Sequence, residues 1–488
     1  MQASTVALVG SIMVPILAAC MLLLMGPRQR PLHHLVAAVA TAATTGWLVV
    51  LVHTQGTVEH AVGGWATPLG IGLRADGLSA FMVATTAVVG VLVSLYAARP
   101  TRTTMGHFWP LWFFAWAGLQ GVFLSADLFN LYVALEVLGI AAVSLVGLAR
   151  GAALVASIRY VLVTLIGSLF FLLGVALLYG EHATLDIVML ADQATWTLAS
   201  AAALAFLTIG LALKAALFPL HFWLPSAHAN ASAPVSAILS ALVCEAPLYL
   251  VVRVWSWALP GVATTIVAEL VGAMAMFGIV WGSLQAMRQT SLKMLVAYST
   301  VAQIGYLFLF VPLFTRDVAG VALEATAYYV AAHACAKAAM FLAVGTFVSS
   351  LGDDTVDGLR GVSVRLPLTT FSFTLAGITL VGLPPSGGFI AKWLLLEAAI
   401  STAHWPIAVI VVVGSVLTAF YVFLPVARAL QDSHVETPVR IAVPVTQQIA
   451  TLTLAVAGLL LGVLSHLPLR LLEIGRPVMA TLRLGASS

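Results

Sequence analysis

Stretches of about 20 predominantly apolar residues recur from one end of the chain to the other, and a lipid bilayer is the medium that accommodates so many. In hydrocarbon no water satisfies the backbone, so each stretch must close its own hydrogen bonds as an α-helix. About fourteen such runs are legible, beginning near Thr5, His33, Gly77, Phe108, Leu128, Ser157, Leu198, Val235, Thr264, Leu295, Gly320, Leu368, Trp405 and Ile441. Composition agrees: 61% of the 488 residues are hydrophobic and 8% are charged, where a soluble domain carries about a quarter charged. A cleaved leader does not explain runs spread this widely. The segment from Thr5 to Met25, followed by positive charge, reads as the first span. No soluble insert or linker divides the chain, which predicts one all-α polytopic membrane domain over 1–488. Cys20, Cys244 and Cys335 stand singly inside apolar runs and read as small core residues, not as disulfide or metal ligands.

Arginines in the short loops set the orientation. With the N-terminus outside, Arg28, Arg30, Arg99, Arg102, Arg150, Arg159, Arg288, Arg360, Arg365, Arg428 and Arg440 fall in cytoplasmic loops. The outer side keeps Arg74, Arg316, Arg470, Arg476 and Arg483. This asymmetry predicts an N-outside, multi-pass membrane protein.

Charges inside the apolar runs carry the functional signal. The chain has only four lysines. Lys214, Lys337 and Lys392 lie within apolar stretches, and Lys293 stands at the mouth of the tenth span. A charge at a helix centre costs about 2.5–3.5 kcal/mol on insertion scales. One such lysine near an interface would simply snorkel to water. Three in a chain that otherwise uses arginine argue for more than scaffold ion pairs. Acidic partners exist in Glu136, mid-way along the fifth span, and Glu245, within the eighth. His333 and Lys337 are four residues apart and share one helix face.

Two spans are interrupted beside a lysine. After Lys214 comes FPLHFWLP, where Pro219 removes a backbone donor and clashes with the preceding turn. Before Lys392 comes GLPPSGG, where Pro384, Pro385, Gly387 and Gly388 break the helix outright. Broken helices persist in a bilayer only when buried in protein or lining water. Paired interruptions in two halves mark an inverted-repeat transporter with ion sites at the breaks.

Such an array suits charge transfer better than bulk solute passage. Burial disfavours a charged amine and a nearby carboxylate restores it, so displacing Glu136 switches Lys214 between holding and releasing a proton. Neighbouring sites then titrate as a coupled row.

At these residues the chain resembles the proton-conducting antiporter family: the large subunits of Mrp-type cation/proton antiporters and the related subunits of respiratory complex I and membrane-bound hydrogenases. The matching stretches are SADLFNLYVALEV with Glu136, LALKAALFPLHFWLPSAHANASAPVSAILSALV with Lys214 and His221, LKMLVAYSTVAQIGY with Lys293, HACAK with His333 and Lys337, and GLPPSGGFIAK with Lys392. The resemblance implies about fourteen transmembrane helices with two inverted five-helix repeats, spans 4–8 and 9–13, and broken helices 7 and 12. Residues 1–106 would then hold three N-terminal spans, 107–257 the first repeat, 264–431 the second, and 441–488 the last span and tail. It also implies a Glu/Lys/His proton relay within a hetero-oligomer of membrane subunits. The stretch GGWATPLGIGLRADGLSAFMV and the compact length are most similar to the Mrp D subunit.

One departure concerns the eighth span, where the family usually has a lysine and this chain has Glu245. A carboxylate there suits Na⁺, because hard cations prefer oxygen ligands. Met294 also stands where an arginine is common, leaving Lys293 alone at its helix mouth, as a relay member or a positive-inside anchor. The chain contains no CxxC pair, Rossmann-type glycine run or haem-ligand pair, so no cofactor is expected. The predicted function is the proton-translocating subunit of a Na⁺/H⁺ antiporter, with a non-redox pumping subunit of a complex I-type or hydrogenase complex as the alternative. Protons, Na⁺, lipid and other membrane subunits are the expected partners, and nucleic acid is not.

Overall fold

The structure, a computed structural model, describes residues 3–98, 107–316, 320–432 and 440–476. The orientation residues Arg99, Arg102 and Arg483 lie outside them. Among the described residues, twelve helices are long and apolar enough to cross a membrane. They are α1 (Ala3–Met25), α2 (Pro31–Gln55), α3 (Gly77–Ala97), α5 (Leu128–Gly147), α6 (Ala152–His182), α7 (Leu198–Ala215), α8 (Ala233–Ala258), α9 (Thr265–Met287), α10 (Leu292–Phe314), α11 (Val321–Leu351), α14 (Trp405–Leu430) and α15 (Val445–Val463). Two shorter apolar helices, α4 (Phe108–Leu124) and α12 (Pro367–Val381), fill the remaining expected places, and α13 (Gly387–Ser401) continues α12 beyond its break. The expected starts recur within a few residues, except that the sixth span begins earlier, at Ala152. One antiparallel hairpin, β1 (Val58–Ala61) with β2 (Gly72–Ala75), covers the end where α2 and α3 meet.

Helix starts follow the capping rules. Asp76 accepts from Ser79 N at 3.0 Å at the start of α3, and Asp127 accepts from Asn130 N at 2.8 Å at the start of α5. Each satisfies a donor that the helix cannot.

The helices differ sharply in how much lipid they meet. The most apolar stretch of α8 is 100% buried within the protein, that of α10 89% and that of α11 83%, against 33% for α1 and α2. These three form the centre, and they carry Glu245, Lys293, His333 and Lys337. Cys244 and Cys335 are core residues as expected, but Cys20 is exposed on the outer face of α1, which packs on its neighbours by one side only.

Both expected breaks are present. Helix α7 ends at Ala216, a left-handed residue with φ 61°, and the chain turns through Phe218–His221 before the short helix Leu224–Asn230 resumes. Helix α12 ends at Gly382 with φ 84°, and α13 restarts at Gly387. Each break contains a cis proline, Pro219 and Pro385.

Candidate functional site

Lys214 lies in the last turn of α7, just before the left-handed residue that ends it. Its Nζ donates to Glu136 Oε1 of α5 at 3.0 Å. The Ser168 hydroxyl of α6 contacts the same carboxylate oxygen, with the Thr164 carbonyl 2.7 Å away as its other acceptor. Three helices therefore converge on one carboxylate. The lysine side chain is 6% exposed and the Glu136 side chain 24%. The carboxylate thus stands at the rim of the fold, mid-way along a lipid-depth helix.

Glu245 does not turn toward Lys214. Its Oε1 lies 2.5 Å from Nδ1 of His333 on α11, and both side chains are buried. Helix α8 widens into π-turns on both sides of this region, at Leu239–Val243 and Val254–Ala258. Such turns displace the helix face and are common at functional sites. One turn along α11, Lys337 Nζ donates to the Val296 carbonyl at 3.0 Å and contacts the Ser299 hydroxyl of α10. His228 of the short helix after the first break is also fully buried, with neither ring nitrogen hydrogen-bonded, and stacks on Phe341.

Lys392 reaches backward across the second break. Its Nζ donates to the carbonyls of Leu380 at 2.9 Å and Val381 at 3.0 Å and lies 4.4 Å from the Tyr306 ring centroid. Those carbonyls are stranded by the end of α12, and a cation at a helix C-terminus also meets the negative end of the dipole. Gly382 makes room for this. A Cβ there would sit 2.8 Å from Lys392 Cδ. The two breaks thus use lysine differently: Lys214 faces a carboxylate, and Lys392 faces neutral acceptors.

Lys293 is not isolated at its helix mouth. Its Nζ donates to the Ala231 carbonyl at 2.8 Å, at the end of the short helix Leu224–Asn230. It therefore ties α10 to the first broken span. Among the described residues no group of three or more His, Cys, Asp or Glu side chains is placed to hold a metal ion.

Two features escaped the sequence reading. Arg253, eight residues beyond Glu245 on α8, makes a bidentate pair with Asp76 at 2.6 and 2.5 Å, joined by Ser79 and Tyr249. Its signal was present, a single arginine inside LYLVVRVWSW. The second is a neutral network on α10, α11 and α14, made of Gln303, Tyr329, Thr418 and Tyr421. No charge marked it.

A family model described as NADH:quinone oxidoreductase/Mrp antiporter, transmembrane region, matches residues 125–418. The chain belongs to this family. The match takes in Glu136, Lys214, Glu245, Lys293, His333, Lys337 and Lys392. The chain is 32% identical over 457 residues to the N subunit of NADH-quinone oxidoreductase from Desulforudis audaxviator, covering 88% of this chain and 90% of that one. It is 30% identical over 425 residues to the D subunit of the Na⁺/H⁺ antiporter from Alkalihalophilus pseudofirmus, covering 84% of each. Among solved structures it is similar to a chain of the Mrp complex from a Dietzia species, with 26% identity, a TM-score of 0.88 and 97% of both chains covered. Within this family fold, Glu245, Lys293, His333 and Lys337 lie on the central helices, Lys214 and Lys392 at the two breaks, and Glu136 at the rim on α5.

Proposed function

We propose that this chain is the proton-translocating subunit of a multisubunit monovalent cation (Na⁺)/H⁺ antiporter, a transporter component and not a redox catalyst. The observation that carries this reading is the Lys214–Glu136 pair at a helix break, a titratable amine and carboxylate in contact within the membrane domain. Glu136, Lys214, Lys392, His333, Lys337, Glu245 and Lys293 form the relay. The partly exposed Glu136 supports membership in a hetero-oligomer. A carboxylate at bilayer depth is costly against lipid, and a neighbouring subunit would cover it. Likeness to the D subunit of an antiporter and to a chain of an Mrp complex supports the same assignment.

The reading extends to the architecture. Residues 107–257 and 264–431 form inverted repeats, each with a proline break in its fourth span. The N-terminus lies outside a bacterial or archaeal cytoplasmic membrane. Glu245, whose Oε2 is free of hydrogen bonds while Oε1 meets His333, is the candidate Na⁺ contact.

The likeness to the N subunit of a quinone oxidoreductase favours a second reading, a proton-pumping subunit of a complex I-type assembly. Purification in mild detergent separates the two by the chains that co-purify: small antiporter subunits for the first, quinone-linked or hydrogenase subunits for the second. The complex is then reconstituted and Na⁺-driven proton exchange followed by a fluorescent pH probe. Lys214→Ala is expected to abolish exchange, and retention of wild-type exchange would refute the proposed role.

A further inference from the structure

Between the central pair His333/Lys337 and the terminal Lys392 lies a hydrogen-bonded chain with a definite polarity. The Tyr329 hydroxyl, one turn before His333 on α11, donates to Gln303 Oε1 on α10. Gln303 Nε2 donates to Tyr421 OH on α14 at 2.9 Å and lies 3.4 Å from Thr418 Oγ1. Tyr421 OH donates to Thr418 Oγ1 at 3.3 Å, and Thr418 donates to the Gly414 carbonyl at 2.8 Å. Gln303, Thr418 and Tyr421 are 0% exposed and Tyr329 3%. Gln303 also stands one turn from Ser299, which binds Lys337, and three residues from Tyr306, whose ring faces Lys392.

A chain of hydroxyls, waters or carboxyls passes protons because each member accepts and donates at the same kind of atom. A primary amide does not. It accepts at oxygen and donates at nitrogen, so relaying a proton through it requires the unfavourable imidic tautomer. The chain moreover ends on a backbone carbonyl, which has no proton to pass on. Every donor is already committed, and a fully satisfied buried network is rigid.

We propose that Gln303 is a proton plug. Its amide, locked between Tyr329 and Tyr421, keeps protons from running directly between the His333/Lys337 centre and Lys392, and conduction requires this bridge to open to water. Gln303 is accordingly a positioning residue, and the inference rests on the relay proposed above.

The test uses the whole complex in proteoliposomes, with two readouts per assembled complex: passive proton leak without Na⁺, and Na⁺-driven exchange. Gln303→Ala removes the bridge and leaves room for water, and Gln303→Glu substitutes a group able to relay. Both are expected to raise leak severalfold while retaining exchange with a lowered Na⁺ coupling ratio. Wild-type leak in an assembled Gln303→Glu complex overturns the plug. Loss of exchange without leak also overturns it, making Gln303 an essential link. Failure of both variants to assemble assigns Gln303 to the scaffold and equally overturns the plug. Lys392→Ala, measured alongside, separates the two levels of inference: exchange that survives it refutes the relay, whatever Gln303 does.

Discussion

Glu245 and His333 meet at 2.5 Å across α8 and α11, and each has an atom to spare: Glu245 Oε2 and His333 Nε2 are buried without a hydrogen-bond partner. A lysine at position 245 would bring a second cation beside Lys337. The glutamate instead lets the imidazole and carboxylate share one proton, with both spare atoms available to a water or a neighbouring donor. Such sites titrate as a unit.

This pairing makes a mutational prediction. Glu245→Gln keeps the size of the side chain but removes the titratable carboxyl that shares the proton, and is expected to lower exchange at least about a hundredfold, the lower end of the range for a positioned proton-transfer group. His333→Ala should do the same, and the double variant should be no worse than either single one, because residues in one network couple. Exchange rates in reconstituted vesicles give the answer. Additive losses would mean that the two residues act separately.

Glu136 invites a graded series. Glu136→Gln preserves contact with Ser168 and Lys214 while deleting the counter-charge, so exchange should fall by about a hundredfold, in the general range for acid–base groups. Glu136→Asp retains the charge one methylene further from Lys214 and should fall between that variant and wild type. Equal activity of the Asp and Gln variants would show that charge at this position does not matter.

The spans, both breaks and the charged residues were legible because each stands out against an apolar background. A lysine or a double proline inside a hydrophobic run has few bland explanations. Three-dimensional pairings were less legible. Periodicity places Glu245 on α8 but does not say that it faces His333 and not Lys214. Lys293 reads equally as a relay member and as an anchor until the end of the first broken span is brought beside it. Gln303, Tyr329 and Tyr421 were invisible, since neutral polar residues are frequent in membrane helices and only their mutual contacts distinguish them. Arg253 was visible but uninterpreted, because its partner Asp76 lies on another helix end, 177 residues away.

Gly382 offers a backbone test of the second break. Its φ of 84° and the 2.8 Å that would separate an alanine Cβ from Lys392 Cδ mean that alanine meets both strain and a clash. Gly382→Ala should destabilise the protein by about 1–2 kcal/mol from the left-handed conformation alone. It should also push Lys392 from the α12 carbonyls and reduce exchange beyond what the stability loss explains. Thermal unfolding in detergent and exchange in vesicles measure the two effects. An active, fully stable variant would show that Lys392 does not depend on this cap.

The Asp76–Arg253 pair joins the start of α3 to the end of α8 and has no place in the proposed relay, so its role is structural. Removing one partner of a buried pair strands the other charge and costs about 3–5 kcal/mol. Asp76→Asn should therefore lower thermal stability markedly, and adding Arg253→Met should recover much of the loss. The pH dependence follows from the direction of the shift. Burial pushes the Asp76 carboxyl up, but the Arg253 guanidinium and the Ser79 amide more than offset this and hold it below the usual value of 3.8. A depressed folded value gives stability that is fully present above the unfolded value and is lost only as pH falls through the folded one. The difference in stability between wild type and Asp76→Asn should consequently stay constant from pH 8 to about pH 5, well above the ordinary aspartate range. Unfolding curves at several pH values provide the measurement, and a difference that shrinks across that window would mean the carboxylate is not held by Arg253 in the manner described.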